Sequence, residues 1–223
     1  MTELARSPFS TATASSDVSV LLFDLDAVPP VDNLSALPAD DIAVASHIAD
    51  GQRRRRFLAA RREVRLTLAQ IVGVPPAAVP IHRGRNGKPL VADMPVHFSV
   101  ATRGAACAIA TALHHPVGVE VARVPHQTPA PVLGQLLPPS ARSAVLAAAP
   151  DEQPREFALW WCRVEAAVRA CGAGLDEAAA CLDVAPQEAR VFGPDLVAAV
   201  AIAHRAADLD VWWRVAALAG AVR

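Results

Sequence analysis

The chain has no tyrosine, and Lys88 is its only lysine among 223 residues. Nearly all the basic charge is therefore arginine. That bias is coding preference before it is chemistry, yet it makes the place of Lys88 worth finding. There is no excess of one charge either: 21 Lys+Arg against 22 Asp+Glu leave −1 with histidine neutral. A dedicated nucleic-acid binder, which carries a basic surplus, is excluded. The four cysteines, Cys107, Cys162, Cys171 and Cys181, show no CxxC spacing. They read as reduced, mostly buried core residues, not as a zinc site or a disulfide framework. Met1 to Ser16 contains no basic segment followed by an apolar one, so no signal peptide is visible and a cytoplasmic protein is expected. The run Val18 to Phe23 is far short of the roughly 20 apolar residues a bilayer needs, and the Ala-rich runs are broken by charges and prolines, so no membrane partner is expected.

What is present is apolar bulk. Hydrophobic residues make up 53% and charged residues 19%, which excludes wholesale disorder and supplies a packed core. At roughly 100–200 residues per domain the length suits one large domain or two small ones sharing a core. The abundant alanine favours helix, and 19 prolines demand sharp connections.

Along the chain, residues 1–16 read as a frayed polar tail. Ser19 to Val28 is rich in β-forming residues and stops at Pro29-Pro30, so it reads as a strand. Pro38 to Asp41 opens a helical stretch with acids in its first turn. After Arg53 to Arg56, the apolar Phe57, Leu58, Val64, Leu68, Ile71 and Val72 fall at helical spacing. Gly73 ends that helix and Pro75-Pro76 blocks its continuation. Residues 79–121 read as short strands, with a turn at Asn86-Gly87 and strands at His97–Ala101, Cys107–Leu113 and Val117–Val121. Residues 125–139 read as a Pro-rich connection and Ser140–Ala149 as a short helix. Glu156–Cys171 reads as a second long amphipathic helix capped by Gly172. Leu196–Ala203 and Val211–Ala219 close the chain as strands, with helix left open for both.

RRRFLAARREVRLTLAQIVGV and REFALWWCRVEAAVRACGAGL share a charged start, an amphipathic body and a glycine stop. Each precedes strand-like material. The pattern points to an internal duplication of an α+β unit, with a site at the seam between the halves.

Three fragments carry chemistry when read together: GKPL (Gly87 to Leu90), GVEVA (Gly118 to Ala122) and WCRVEAAVRACGAGL (Trp161 to Leu175). In this order and spacing, together with RRRFLAAR, GVPPAAVPI and FSVATRG, they resemble the Sfp-type 4'-phosphopantetheinyl transferase family. The resemblance covers nearly the whole chain. It implies an α+β fold of two pseudo-symmetric halves with the cleft between them. The expected organisation is the tail 1–16, a first half 17–112 and a second half 113–223. A monomer fits such a duplication. Members of the family move phosphopantetheine from coenzyme A to a serine of a carrier protein. Magnesium bridges the pyrophosphate, and 3',5'-ADP leaves.

The resemblance carries over residue by residue, with departures. Residues two apart on a strand share a face, so the family's G-[IV]-D-[IV]-E strand aims two acids at one metal and a helix adds a third. This strand has Glu120 and Ala122, so the second acid is missing; the helix acid is Glu165. Glu120 and Glu165 are thus the expected magnesium ligands and, with Arg169, the expected catalytic residues. In WxxKE the lysine is Val164, and a later lysine is Arg169, which stays protonated and accepts no proton. Glu165 and Arg169 stand at i, i+4 and can pair across one turn. In FxxSHS the histidine position is Thr102, with Arg103 beside it. Arg61 and Lys88 match the family's basic coenzyme A contacts, so Arg61, Lys88, Thr102 and Arg103 form the expected coenzyme A set.

Plainer readings stand beside these. Arg53 to Arg56 reads first as a solvated helix start, with a contact to coenzyme A phosphates or to an acidic carrier as the sharper reading. Glu120 reads as an ordinary exposed strand residue, and Glu165 as a surface acid paired with Arg169. Trp160-Trp161 and Trp212-Trp213 read as core and edge packing, and His114-His115 as a turn. Three functions follow. One is an atypical transferase acting on an acyl or peptidyl carrier protein in polyketide or non-ribosomal peptide assembly. Another is a repurposed relative that has lost metal-dependent transfer and acts on a small-molecule pathway intermediate, for example as a cyclase. The third is a non-catalytic module that binds a carrier protein or coenzyme A.

Overall fold

The computed structural model describes residues 18–29, 34–84, 87–129, 133–135, 137–204 and 210–216. The expected tail 1–16 and Asn86 lie outside them. The chain is α+β. Its strands are β1 (Val18–Asp24), β2 (Ile81–Arg83), β3 (Pro89–Val91), β4 (His97–Arg103), β5 (Ala106–Ala112), β6 (Val117–Arg123), β7 (Gln187–Phe192), β8 (Leu196–Ile202) and β9 (Val211–Ala216). Its helices are α1 (Ala39–Ser46), α2 (Gly51–Val72), α3 (Pro139–Ala147), α4 (Gln153–Cys171) and α5 (Ala178–Val184).

The two long helices form where the periodicity places them, and their ends have local causes. Asp50 caps α2 by accepting from the Arg53 amide at 2.6 Å. Gly73 and Gly172 close α2 and α4 in the left-handed region, at φ 74° and 66°, where a Cβ would be strained.

Alternation along the strands builds four layers. Strands β4-β5-β1-β9 form one sheet and β6-β8-β7 another. Val20 and Leu22 of β1, Ala108 and Ala110 of β5, Val119 of β6 and Val200 of β8 share the cluster between the sheets. The opposite faces turn outward. Phe23, Cys107 and Ile109 pack with Val64 and Leu68 of α2. Val197, Ala199 and Ala201 pack with Cys162, Val164 and Ala167 of α4. Each sheet thus carries its own long helix on its outer face. The last strand crosses back: β9 pairs parallel with β1, Val18 opposite Val211, and completes the β4-β5-β1-β9 sheet.

Several boundaries differ from the sequence reading. The first strand ends at Asp24 and not at Val28, because the Asp24 carboxylate accepts from the Asp26 amide at 2.7 Å and folds the chain into a turn. α4 starts at Gln153, and α3 spans Pro139–Ala147. The last strand ends at Ala216, and 217–219 lie outside the described residues. Helix α5 and edge strand β7 were not expected. The alanines of α5 favour helix locally, and Ala178 and Cys181 seat it in the core against α4. β7 (QEARVF) alternates only briefly, with Ala189 and Val191 on one face, and pairing with β8 holds it in place. Three of the four cysteines are buried, as read, and all four are free thiols; Cys171 is partly exposed.

Candidate functional site

The site begins at the place where the edges of the two sheets meet, β4 against β6. The Ser99 hydroxyl accepts from the Val119 amide at 3.1 Å, stitching one edge to the other. Gly118, Glu120 and Ala122 alternate on the face of β6 that meets α4. A Cβ on Gly118 would overlap the Ala166 carbonyl and the Ala170 amide, so helix and strand touch backbone to backbone. That contact brings residues 165 and 169 over Glu120.

Glu120 is only 4% exposed, so its reading as an exposed strand residue is overturned. Arg169 Nη2 lies 2.8 Å from Glu120 Oε2, and Arg169 Nε lies 3.6 Å from Glu165 Oε2. Arg169 Nη1 donates to the Val100 carbonyl of β4 at 3.4 Å. One guanidinium therefore spans two carboxylates and both sheets. The 2.8 Å contact gives charge compensation without a well-directed hydrogen bond, and Glu120 Oε2 keeps its acceptor capacity unspent. Burial pushes the Glu120 carboxyl above its ordinary value of 4.5; Arg169 opposes that, Glu165 adds to it, and Arg103 opposes it again. Arg103 acts on Glu120 only through its charge and forms no ion pair with it. Ala122 is a buried core residue beside it. Val164, where the family has lysine, is fully buried in the core of the second half.

On the other side of β4 lies a cleft of about 1180 Å3 between that strand, α2 and β2. Phe98, Val100 and Thr102 line it from β4, and Arg53, Arg56 and Arg61 from α2. Arg83 and His82 close its rim. Arg61 reaches Asp41 at 3.5 Å and covers the Phe57 ring at 5.2 Å. Arg65, 8% exposed, is fixed by Asp41 at 2.9 Å and by the Val79 carbonyl at 3.1 Å. Arg55 and Arg56 pair with Asp26. Among the described residues, Arg53 and Arg83 pair with no carboxylate; Asp40 and Asp41 also line the cleft, Asp41 paired with Arg61 and Arg65, so arginines outnumber acids on its wall. The solvated-start reading thus holds for part of the arginine run, while Arg53 and Arg56 face the cleft.

The structure therefore gathers Glu120, Glu165, Arg169 and Arg103 into one cluster, and Arg61 and Thr102 into the cleft, one strand away. Lys88 goes elsewhere. Its Nζ donates to the Ala170 carbonyl at the end of α4 at 3.0 Å, and burial lowers the amine from 10.5 to about 8. Lys88 does not line the cleft. Sequence reasoning missed Asp41, Arg65, Ser99 and Gly118. Gly118 had a visible signal, a lone glycine inside a strand two residues before an acid. Asp41 was read only as a helix-start acid. Arg65 follows Arg61 by one turn, a spacing that shows a shared face but not a shared carboxylate.

The expected pair of magnesium ligands is present, yet the arrangement does not fit a bridging ion. The Arg169 guanidinium lies between the carboxylates, and Ala122 offers no oxygen. No group of three or more histidine, cysteine or acidic side chains suited to a metal occurs among the described residues. No helix among them is long and apolar enough to cross a membrane. No family model matches the chain, and no curated protein matches it in sequence.

Proposed function

We propose that the chain is an atypical 4'-phosphopantetheinyl transferase-like protein. It holds coenzyme A in the arginine-lined cleft and passes phosphopantetheine to a serine of an acyl or peptidyl carrier protein in natural-product assembly. The observation that carries this reading is the cleft. It pairs a cationic wall, Arg53, Arg56, Arg61 and Arg83, with the apolar Phe57 and Phe98. A nucleotide with several phosphates needs both surfaces. The four-layer arrangement, with one long helix on each sheet, supports the two-halves fold of that family.

In this reading the carrier serine oxygen forms a bond to the phosphorus that bears pantetheine, and the bond from that phosphorus to the 3',5'-ADP oxygen breaks. Such transfers depend on positioning and on stabilising charge at the phosphoryl oxygens. Arg169 and Arg103 supply that charge from the β4–β6 seam. Glu165, the less buried of the two acids, takes the serine proton. Arg169 cannot, because guanidinium stays protonated.

A second reading draws on the ion pairs of Arg169. One guanidinium already bridges the two carboxylates, as suits a relative that has left metal-dependent transfer for cyclisation or rearrangement of a pathway intermediate. The deciding experiment is intact-mass spectrometry of an apo carrier protein incubated with this protein and coenzyme A, with magnesium and with EDTA. A gain of the phosphopantetheine mass supports transfer. No gain, while a known transferase modifies the same carrier, overturns transfer and leaves the second reading.

A further inference from the structure

The cluster at the β4–β6 seam has a charge balance that bears on metal use. We propose that Arg169 is a resident cation occupying the position between Glu120 and Glu165, so that the site works without a divalent metal and Arg169 masks a latent divalent-cation site. The inference rests on the reading above only in taking this cluster as the reacting centre.

Three observations support it. Arg169 is anchored at three points, Glu120, Glu165 and the Val100 carbonyl, so its guanidinium is held in place and does not swing freely. Arg169 also already offsets one of the two carboxylate charges from the space between them. A divalent ion entering that space meets the guanidinium charge at close range and is repelled by it. Finally, Glu120 is 4% exposed, and its Oε2 has no directed hydrogen bond. Without Arg169 that oxygen is a buried anionic acceptor aimed at vacated space, with Glu165 across from it. Two carboxylates completed by water are an ordinary shell for Mg2+ or Mn2+.

The test is Mn2+ titration of the full chain, followed by electron paramagnetic resonance of free Mn2+, with no coenzyme A present. Wild type is expected to leave Mn2+ free at millimolar concentration, and its thermal midpoint to be the same in Mg2+ and in EDTA. Arg169→Ala is expected to bind Mn2+ at least tenfold more tightly, and Glu165→Gln in the same chain to abolish that gain. Arg169→Gln, which keeps the polar stem, gives the same comparison if the alanine variant does not fold. Wild-type binding as tight as the variant's, or no gain in either folded variant, overturns the proposal. Failure of coenzyme A binding would overturn the function above and leave this titration unaffected.

Discussion

The backbone of Gly118 lies directly beneath the Ala166 carbonyl, with no room for a side chain between strand β6 and helix α4. A methyl group at 118 would also come within 2.9 Å of Arg169 Cβ. Gly118→Ala therefore has to push α4 off the sheet, and with it residues 165 and 169. Overpacking against backbone is expected to cost about 3 kcal/mol. Gly51, which has nothing within 4 Å, provides the control: Gly51→Ala should change stability by no more than about 1 kcal/mol. Urea unfolding of both variants decides it, and equal midpoints would mean that α4 is not seated on β6 as described.

Lys88 gives a pH signature. Its amine sits at about 8 in the folded chain and at 10.5 when unfolded. Between those values the unfolded state binds more protons, so stability rises with pH across that window. Below it the cost of holding the charged amine half-buried is fully present. The chain has no tyrosine and no second lysine, but the Cys107 and Cys181 thiols, raised from 9.0 to about 12 on folding, contribute with the opposite sign in this window, so the readout is the difference from a Lys88 variant, in which they cancel. The stability of wild type relative to Lys88→Met should climb from pH 8 to 10.5. A flat difference would refute the buried amine. Amine-directed acylation, followed by mass spectrometry of the Lys88 peptide, should show a rate midpoint near the lower value.

Removing the Arg169 charge strands a buried carboxylate. Arg169→Met is expected to cost about 2 kcal/mol at neutral pH, below the figure for a fully buried pair because Arg169 is partly solvated. The folded Glu120 carboxyl lies above 4.5, so the native state takes up protons first as pH falls. The deficit should shrink on mild acidification towards that value, and Glu120→Gln in the same chain should recover much of it. Denaturation at neutral and mildly acidic pH measures both, and a pH-independent deficit would argue for lost packing instead.

The arginines of the cleft should separate into two groups. Arg53→Ala and Arg83→Ala leave no intramolecular partner stranded, and each is expected to weaken coenzyme A binding about fivefold, more at low salt than at high. Arg65→Ala leaves two backbone carbonyls without their donor and Asp41 with only its longer contact to Arg61, so it should cost about 3 kcal/mol of stability. Calorimetric titration alongside thermal unfolding separates the effects. A cleft arginine whose loss leaves affinity unchanged at low salt does not face the ligand.

How much of this was legible depended on distance along the chain. The two long helices, their glycine stops and the alternation of β4, β5 and β6 are local patterns, set by side-chain periodicity and by the backbone freedom of Gly73 and Gly172. The likeness of the two helical segments pointed to two similar units, and each helix does lie on its own sheet. Glu120, Glu165 and Arg169 were singled out by the resemblance of GVEVA and WCRVEAAVRACGAGL to family motifs, while the i, i+4 contact of the last two follows from helix geometry. The burial of Glu120 was not readable, because a strand residue's exposure depends on what packs over it, here a helix starting more than thirty residues later. Nor was the departure of Lys88 from the cleft to the end of α4, since that hydrogen bond joins residues 82 apart. The return of β9 to pair with β1 is decided by the unfilled sheet edge, not by the strand's own residues. The sequence by itself determined the two long helices, the strands of regular pattern and the chemical types available. The tertiary structure alone decided that a guanidinium lies between the two acids, because that position exists only once β6, α4 and β4 have packed together.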